Sequence, residues 1–150
     1  MSPETISSFI DANRNDSSAM FSVGVSTDAI NALEARLQVR LPESYQWFLR
    51  TYETTWMFGF EVLGTCTNGA PDGNVVGYTE RYRSQGMQLR YIVIEWVDEY
   101  ARCLDTASGD ENDCPVISWG PDGVGATPYA DGFYAFLYDA LTEAKENWEE

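Results

Sequence analysis

Residues 91–119 read YIVIEWVDEYARCLDTASGDENDCPVISW, and their order decides the fold class. Tyr91-Ile92-Val93-Ile94 is the clearest strand signal in the chain, apolar and rich in β-branched residues, a composition that suits a pleated, buried surface. Tyr100 to Leu104 and Val116 to Trp119 have the same character. Between them lies Asp105 to Asp113, a polar loop with Ser108-Gly109 at its centre. Three such runs divided by turn-forming residues predict an antiparallel hairpin or meander.

Outward from this sheet the pattern changes period. Ser2-Pro3 can cap and open a first helix with Ile6, Phe9 and Ile10 as its apolar stripe, fading into the polar run 13–18. Met20 to Val23 fits a short strand closed by Gly24. Ser26-Thr27-Asp28 is a start signal for a second helix, where Ile30, Leu33 and Leu37 recur at helical spacing. Leu41-Pro42 breaks the chain, and a third helix carries Tyr45, Phe48, Leu49 and Tyr52 on one face. Phe58 to Leu63 reads as a strand ended by Gly64, and Asp72-Gly73-Asn74 opens a helix with Val75, Val76, Thr79 and Tyr82 as its buried side. Asp131-Gly132 precedes a last helix with the widest apolar face: Phe133, Phe136, Leu137, Ala140, Leu141 and Ala144. Helices at the chain ends around a run of strands predict an α+β fold. A single domain over residues 1–150 is expected, an antiparallel-rich twisted sheet packed against helices.

The 24 acids and 9 bases leave a net charge of −15. Residues 1–90 hold 10 acids and 7 bases; residues 91–150 hold 14 acids and only two bases, Arg102 and Lys145. Solubility accounts for a general excess of acid, whereas segregation along the chain favours a surface field that attracts a basic partner. The same field repels phosphate, so direct nucleic-acid binding is not expected. No apolar run reaches the roughly 18–20 residues that span a bilayer. The N-terminus has neither a basic region nor a long apolar one, so no signal peptide, no membrane contact and a cytosolic location are expected.

With no histidine in the chain, a Ser-His or Cys-His nucleophile cannot be built. Cys66, Cys103 and Cys114 form no C-x-x-C pair, so zinc is not expected. Cys103 and Cys114 could face each other across a hairpin, although a cytosolic setting favours free thiols. Glu95, Asp98 and Glu99 follow the best strand, and Asp105, Asp110, Glu111 and Asp113 crowd the next loop. Two carboxylates in a cleft could serve as acid and base or hold a metal; on an exposed loop they are solvated, and the spacing is not that of an EF-hand. Residues 120–125, GPDGVG, lack the lysine of a phosphate loop and read as a turn before the last helix. The run Trp56, Met57, Phe58, Phe60 is core, or in part an exposed interface anchor.

The segment 30–52, INALEARLQVRLPESYQWFLRTY, resembles the opening signature of the SUKH superfamily, named in part for cell-wall-assembly regulators of yeast. Ile30, Leu33, Glu34 and Leu37 match I-x-x-L-E-x-x-L; Leu41, Pro42, Tyr45, Phe48 and Leu49 match L-P-x-x-Y-x-x-F-L. YIVIEW, YARCLDT, CPVISW and ADGFYAFL follow in the family's order, so the resemblance covers nearly the whole chain. One departure is that no glycine follows the third helix before Gly59. The resemblance implies an α+β domain that acts by binding protein. In bacteria this means an immunity protein or antitoxin against a polymorphic toxin, here a basic nuclease, without catalysis, cofactor or metal. The alternatives are a regulatory scaffold and a carboxylate or metal-dependent enzyme. The residues expected to meet the toxin are Glu95, Asp98, Glu99, Asp105, Asp110, Glu111 and Asp113, with Trp56 as an aromatic anchor.

Overall fold

The structure is a computed structural model of the 150-residue chain and describes residues 1–15, 20–21, 24–65, 73–98, 100–120 and 125–149. Its elements run α1 (Pro3–Asn13), β1 (Met20–Phe21), α2 (Thr27–Leu37), α3 (Glu43–Thr51), β2 (Thr55–Met57) and β3 (Phe60–Val62). They continue with α4 (Val75–Arg83), β4 (Tyr91–Val97), β5 (Tyr100–Asp105), β6 (Val116–Gly120), β7 (Gly125–Ala130) and α5 (Phe133–Trp148). Two antiparallel sheets result, β1-β2-β3 and β4-β5-β6-β7. The α+β class read from the sequence is the observed one.

Local chemistry starts three of the helices. The Ser2 and Ser26 hydroxyls accept from the Thr5 and Ala29 amides at 3.3 and 3.2 Å, and the Asn74 side chain accepts from Gly77 N at 2.8 Å. Each satisfies an amide that has no partner inside its own helix. Helices α3 and α5 begin at Pro42 and Gly132 without a side-chain cap of their own.

Side chains alternate along a strand, so adjacent residues of β5 serve opposite faces. Cys103 lies against Met87, and Trp119, on the same face, packs on Tyr82 of α4 at 5.3 Å between ring centroids. The Thr79 hydroxyl of α4 accepts from Val93 N at 2.9 Å. On the other face Arg102 covers Tyr129, whose ring meets Phe136 of α5 at 6.0 Å. Helix α5 also packs on α1, α3 and β3.

The aromatic centre lies between α3 and α5: Phe133 sits edge-on to Tyr45 at 5.4 Å and to Phe48 at 5.7 Å, all three fully buried. Buried Tyr45 donates its hydroxyl to Leu63 O at 2.6 Å, tying α3 to the end of β3; burial pushes its phenol well above the ordinary range. Tyr45→Phe leaves that carbonyl without its donor and is expected to cost about 1–2 kcal/mol, measured by urea unfolding.

Two strand assignments change. Phe58 to Leu63 is not one strand: Met57 pairs with Phe60, and the chain reverses at Phe58-Gly59. Both turn residues have positive φ, 55° and 75°, as a type I′ hairpin turn requires. The usual Asn or Asp is absent because Phe58 is buried, packing on Phe9 and Trp148. Beyond β6 the chain adds β7, a strand missed because it buries almost nothing and contains Pro128; proline is at home on such edges. Residues 121–124 of the glycine-rich stretch lie outside the described residues, as do Cys66, Asp72 and the end of the expected 20–23 strand.

The missing glycine after α3 is also explained. Glu53 takes the left-handed conformation there, φ 62°, and Thr65 donates both its amide and its hydroxyl to the buried Glu53 carboxylate. Gly64 passes so close that a Cβ on it would stand 1.6 Å from the Glu53 carbonyl oxygen. Cys103 and Cys114 are buried free thiols. The strand register sets Cys103 opposite Ile117, not Cys114, and burial pushes the Cys114 thiol up to about 12 and Cys103 higher still.

Candidate partner-binding surface

The structure divides the acids expected to meet a partner. Asp105, only 7% exposed, accepts from Arg90 Nε and Nη2 at 2.7 and 2.9 Å, from Ser108 Oγ at 2.9 Å and from Ala107 N at 3.3 Å. Burial works to raise this carboxyl, but Arg90, Ser108 and Ala107 together hold it below the usual range. Asp113 Oδ1 accepts from Ser44 Oγ at 2.7 Å, Cys114 N at 2.9 Å and Phe133 N at 2.8 Å. It thereby caps α5 from another part of the chain, placing negative charge at the positive end of the helix dipole. Gly132 is required for that approach, since a Cβ there would lie 2.3 Å from Asp113 Oδ2.

The same loop caps α3 through its backbone. Glu43 N donates to Glu111 O at 2.8 Å, and Ser44 N to Asn112 O at 2.9 Å. Asp110 folds onto the loop, accepting from Asn112 N and Asp113 N at 2.9 and 3.1 Å. Only Asp110 and Glu111 of the loop's four acids expose their side chains freely. They border a polar depression of about 560 Å³ that also includes Arg40, Gln46 and Asn112.

A second depression, a groove of about 340 Å³, gathers residues from four elements: Trp56 of β2, Phe60 and Glu61 of β3, Tyr78 of α4, and Glu95 and Trp96 of β4. Trp56 and Trp96 are 42% and 44% exposed, unusually open for the largest apolar side chains. Trp96 is nonetheless fixed: its Nε1 donates to Tyr82 Oη at 2.9 Å and its ring stacks on Tyr78 at 5.8 Å. A register shift between Val93 and Glu95 accompanies the turn of Glu95 toward this rim, opposite Arg102, as bulges re-aim side chains elsewhere. Arg102 donates to Ser118 Oγ at 2.8 Å and lies over Tyr100 and Tyr129 at 4.8 and 3.7 Å.

Burial raises Glu95 to about 7; Arg102 opposes that rise and Glu143 of α5 adds to it. The folded chain thus holds a proton that the unfolded chain releases near pH 4.3. The contribution of Glu95 to native stability therefore falls as pH rises from about 4.5 through 7. Glu95→Gln removes the cost: with allowance for partial contact with water, it is expected to stabilise by about 1–2 kcal/mol at pH 8 and negligibly at pH 4, read from unfolding curves at both pH values.

Trp56 and Glu95 thus share one groove, whereas Asp110 and Glu111 border another depression. Asp98 is exposed at the β4–β5 turn with φ 55°, and Glu99 lies outside the described residues. Phe60 belongs to the aromatic run named from sequence, whereas Glu61, Tyr78 and Trp96 were not singled out; the one available signal was the density of aromatics in 56–60 and 91–96. Among the described residues no group of three or more acids and thiols is arranged to hold a metal ion, and no helix is long and apolar enough to cross a membrane.

Both α3, with its L-P-x-x-Y-x-x-F-L signature, and the capping loop fall within residues 6–142, the span that matches the SUKH_5 family model, described as SMI1-KNR4 cell-wall. That span leaves out only the first turn of α1 and the last turns of α5, so the chain belongs to the SMI1-KNR4 family of the SUKH superfamily.

Proposed function

We propose that this protein is an immunity protein, an antitoxin that binds a cognate toxin and neutralises it by stoichiometric contact. The toxin is a basic protein, and the class that fits best is a nuclease. SUKH membership is compatible with an immunity role or a cell-wall regulatory one. The observation that carries the immunity reading is charge segregation: a balance of −12 over residues 91–150, with Asp98, Asp110, Glu111, Asp131, Asp139, Glu143 and Glu146 exposed. A nuclease holds phosphate with cationic groups, and an acidic surface can occupy them while steering the encounter. Exposed aromatics supply the desolvated contact that lasting inhibition needs. Action by contact also agrees with a chain that has no imidazole and whose described thiols are buried and held protonated.

Co-expression with candidate toxins, followed by growth rescue and pull-down, tests this reading; a set of basic nucleases encoded nearby, none bound and none neutralised, would overturn it. The family's cell-wall description supports a second reading, a regulatory scaffold, which predicts neighbours devoted to wall synthesis and no toxin-linked phenotype. Within the immunity reading, Asp110→Lys with Glu111→Lys is expected to slow association with the toxin about tenfold at low salt and to flatten its salt dependence, measured by stopped-flow mixing. Asp113 is excluded from this charge reversal because it caps α5.

A further inference from the structure

The groove at Trp56, Trp96 and Glu95 combines three features. Its walls carry two large, exposed aromatic side chains. One of them, Trp96, is held rigidly by Tyr78 and Tyr82. Its carboxylates, Glu95 and Glu61, come from adjacent strands β4 and β3, with Glu143 of α5 near enough to act on Glu95. Flat aromatic walls and carboxylates together are what a planar cation requires: stacking from the rings and charge-assisted hydrogen bonds from the acid. The chain itself shows the chemistry, because Arg102 lies over Tyr129 at 3.7 Å and Arg81 over Tyr78 at 5.0 Å. Guanidinium suits such a site better than ammonium, being planar, less strongly hydrated and able to stack.

We propose that this groove receives an arginine side chain of the basic partner, its guanidinium against Trp56 and Trp96 with Glu95 as counter-ion. The proposal rests on the reading of the protein as a binder of basic protein, and it assigns that binder a specific anchor point. Glu95 in the groove, with Glu143 of α5 in electrostatic reach, supplies the local complementarity that draws a cationic group to this face. The state of Glu95 adds a signature. A carboxyl held to about 7 by burial and Glu143, against the pull of Arg102, must ionise to pair with the cation. Binding therefore releases a proton and tightens as pH rises from 6 to 8.

The test uses the full chain and a blocked Gly-Arg-Gly peptide, followed through the indole N–H resonances of Trp56 and Trp96. Saturable shifts of both resonances are expected at millimolar peptide, with affinity rising several-fold from pH 6 to 8. Glu95→Gln is expected to weaken binding about tenfold and to abolish the pH dependence. Trp56→Ala, at an exposed position, should weaken it several-fold without loss of folding. Equal binding of the neutral citrulline peptide, equal binding of the lysine peptide, or shifts that spare the two indoles would overturn the assignment. No toxin is needed, so the two proposals fail separately. A toxin neutralised equally well by Trp56→Ala with Glu95→Gln keeps the immunity reading and removes the groove from it. Absence of any toxin removes that reading while leaving the arginine titration to stand or fall alone.

Discussion

Asp105→Ala is expected to lower the free energy of unfolding at pH 7 by about 2–4 kcal/mol, the largest loss from any acid in the 91–150 region. The carboxylate is buried, and it gathers Nε and Nη2 of Arg90, the Ser108 hydroxyl and the Ala107 amide. Alanine leaves those four donors without their common acceptor, and although Arg90 and Ala107 can turn to water, Ser108 is half-buried. The pH dependence identifies the cause. The folded carboxyl lies below its ordinary value, so its contribution is present above the unfolded value of about 3.9 and is lost as pH falls through the folded one. The gap between native and variant chains should accordingly narrow as pH drops below 4. Urea unfolding at a series of pH values measures it, and a constant gap would show that packing, not the ion pair, is responsible.

Asp113→Ala should cost about 2–3 kcal/mol, with the damage centred on the start of α5. One oxygen of this carboxylate serves Ser44, Cys114 and Phe133, and Gly132 offers no side chain to replace it. Asp113→Asn keeps an acceptor and loses the charge at the helix end, so about 1 kcal/mol is expected. Asp110→Ala, which removes only the turn bonds from the Asn112 and Asp113 amides at an exposed position, should change stability by less than about 1 kcal/mol. Hydrogen exchange at residues 133–136 reads the effect locally, and equal protection in the Asp113→Ala and native chains would refute the capping role. These two acids therefore act first on stability, whereas Asp110 and Glu111 remain available to a partner.

Local rules made much of the fold legible. Ser2, Ser26 and Asn74 announce their helices through capping chemistry that spans three residues, and Tyr91 to Ile94 announces its strand by composition. The failures came where distant residues override local preference. A turn built on Phe58 is unreadable without knowing that Phe9 and Trp148 cover it. Strand β7 has no apolar alternation to read because nearly all of its residues are exposed. The candidate site was legible in parts: Trp56 and Glu95 were each named from sequence, but their meeting depends on β3 lying beside β4, where Leu63 N donates to Ile94 O at 2.8 Å. For Asp105 and Asp113, sequence showed charge and hid the partners. The one clue was negative, the absence of a capping side chain at Pro42 and Gly132.

The capping of α3 by the loop after β5 has a consequence in time. Ser44 and Asp113 are separated by 69 residues, which a ribosome adds in roughly 3–14 s. Throughout that interval the newly made third helix has no partner for its leading amides and no aromatic neighbour from α5. A chaperone that holds such helices would meet this chain chiefly before residue 113 emerges, and a truncation just ahead of it should leave a nascent chain that proteases cut within the L-P-x-x-Y segment.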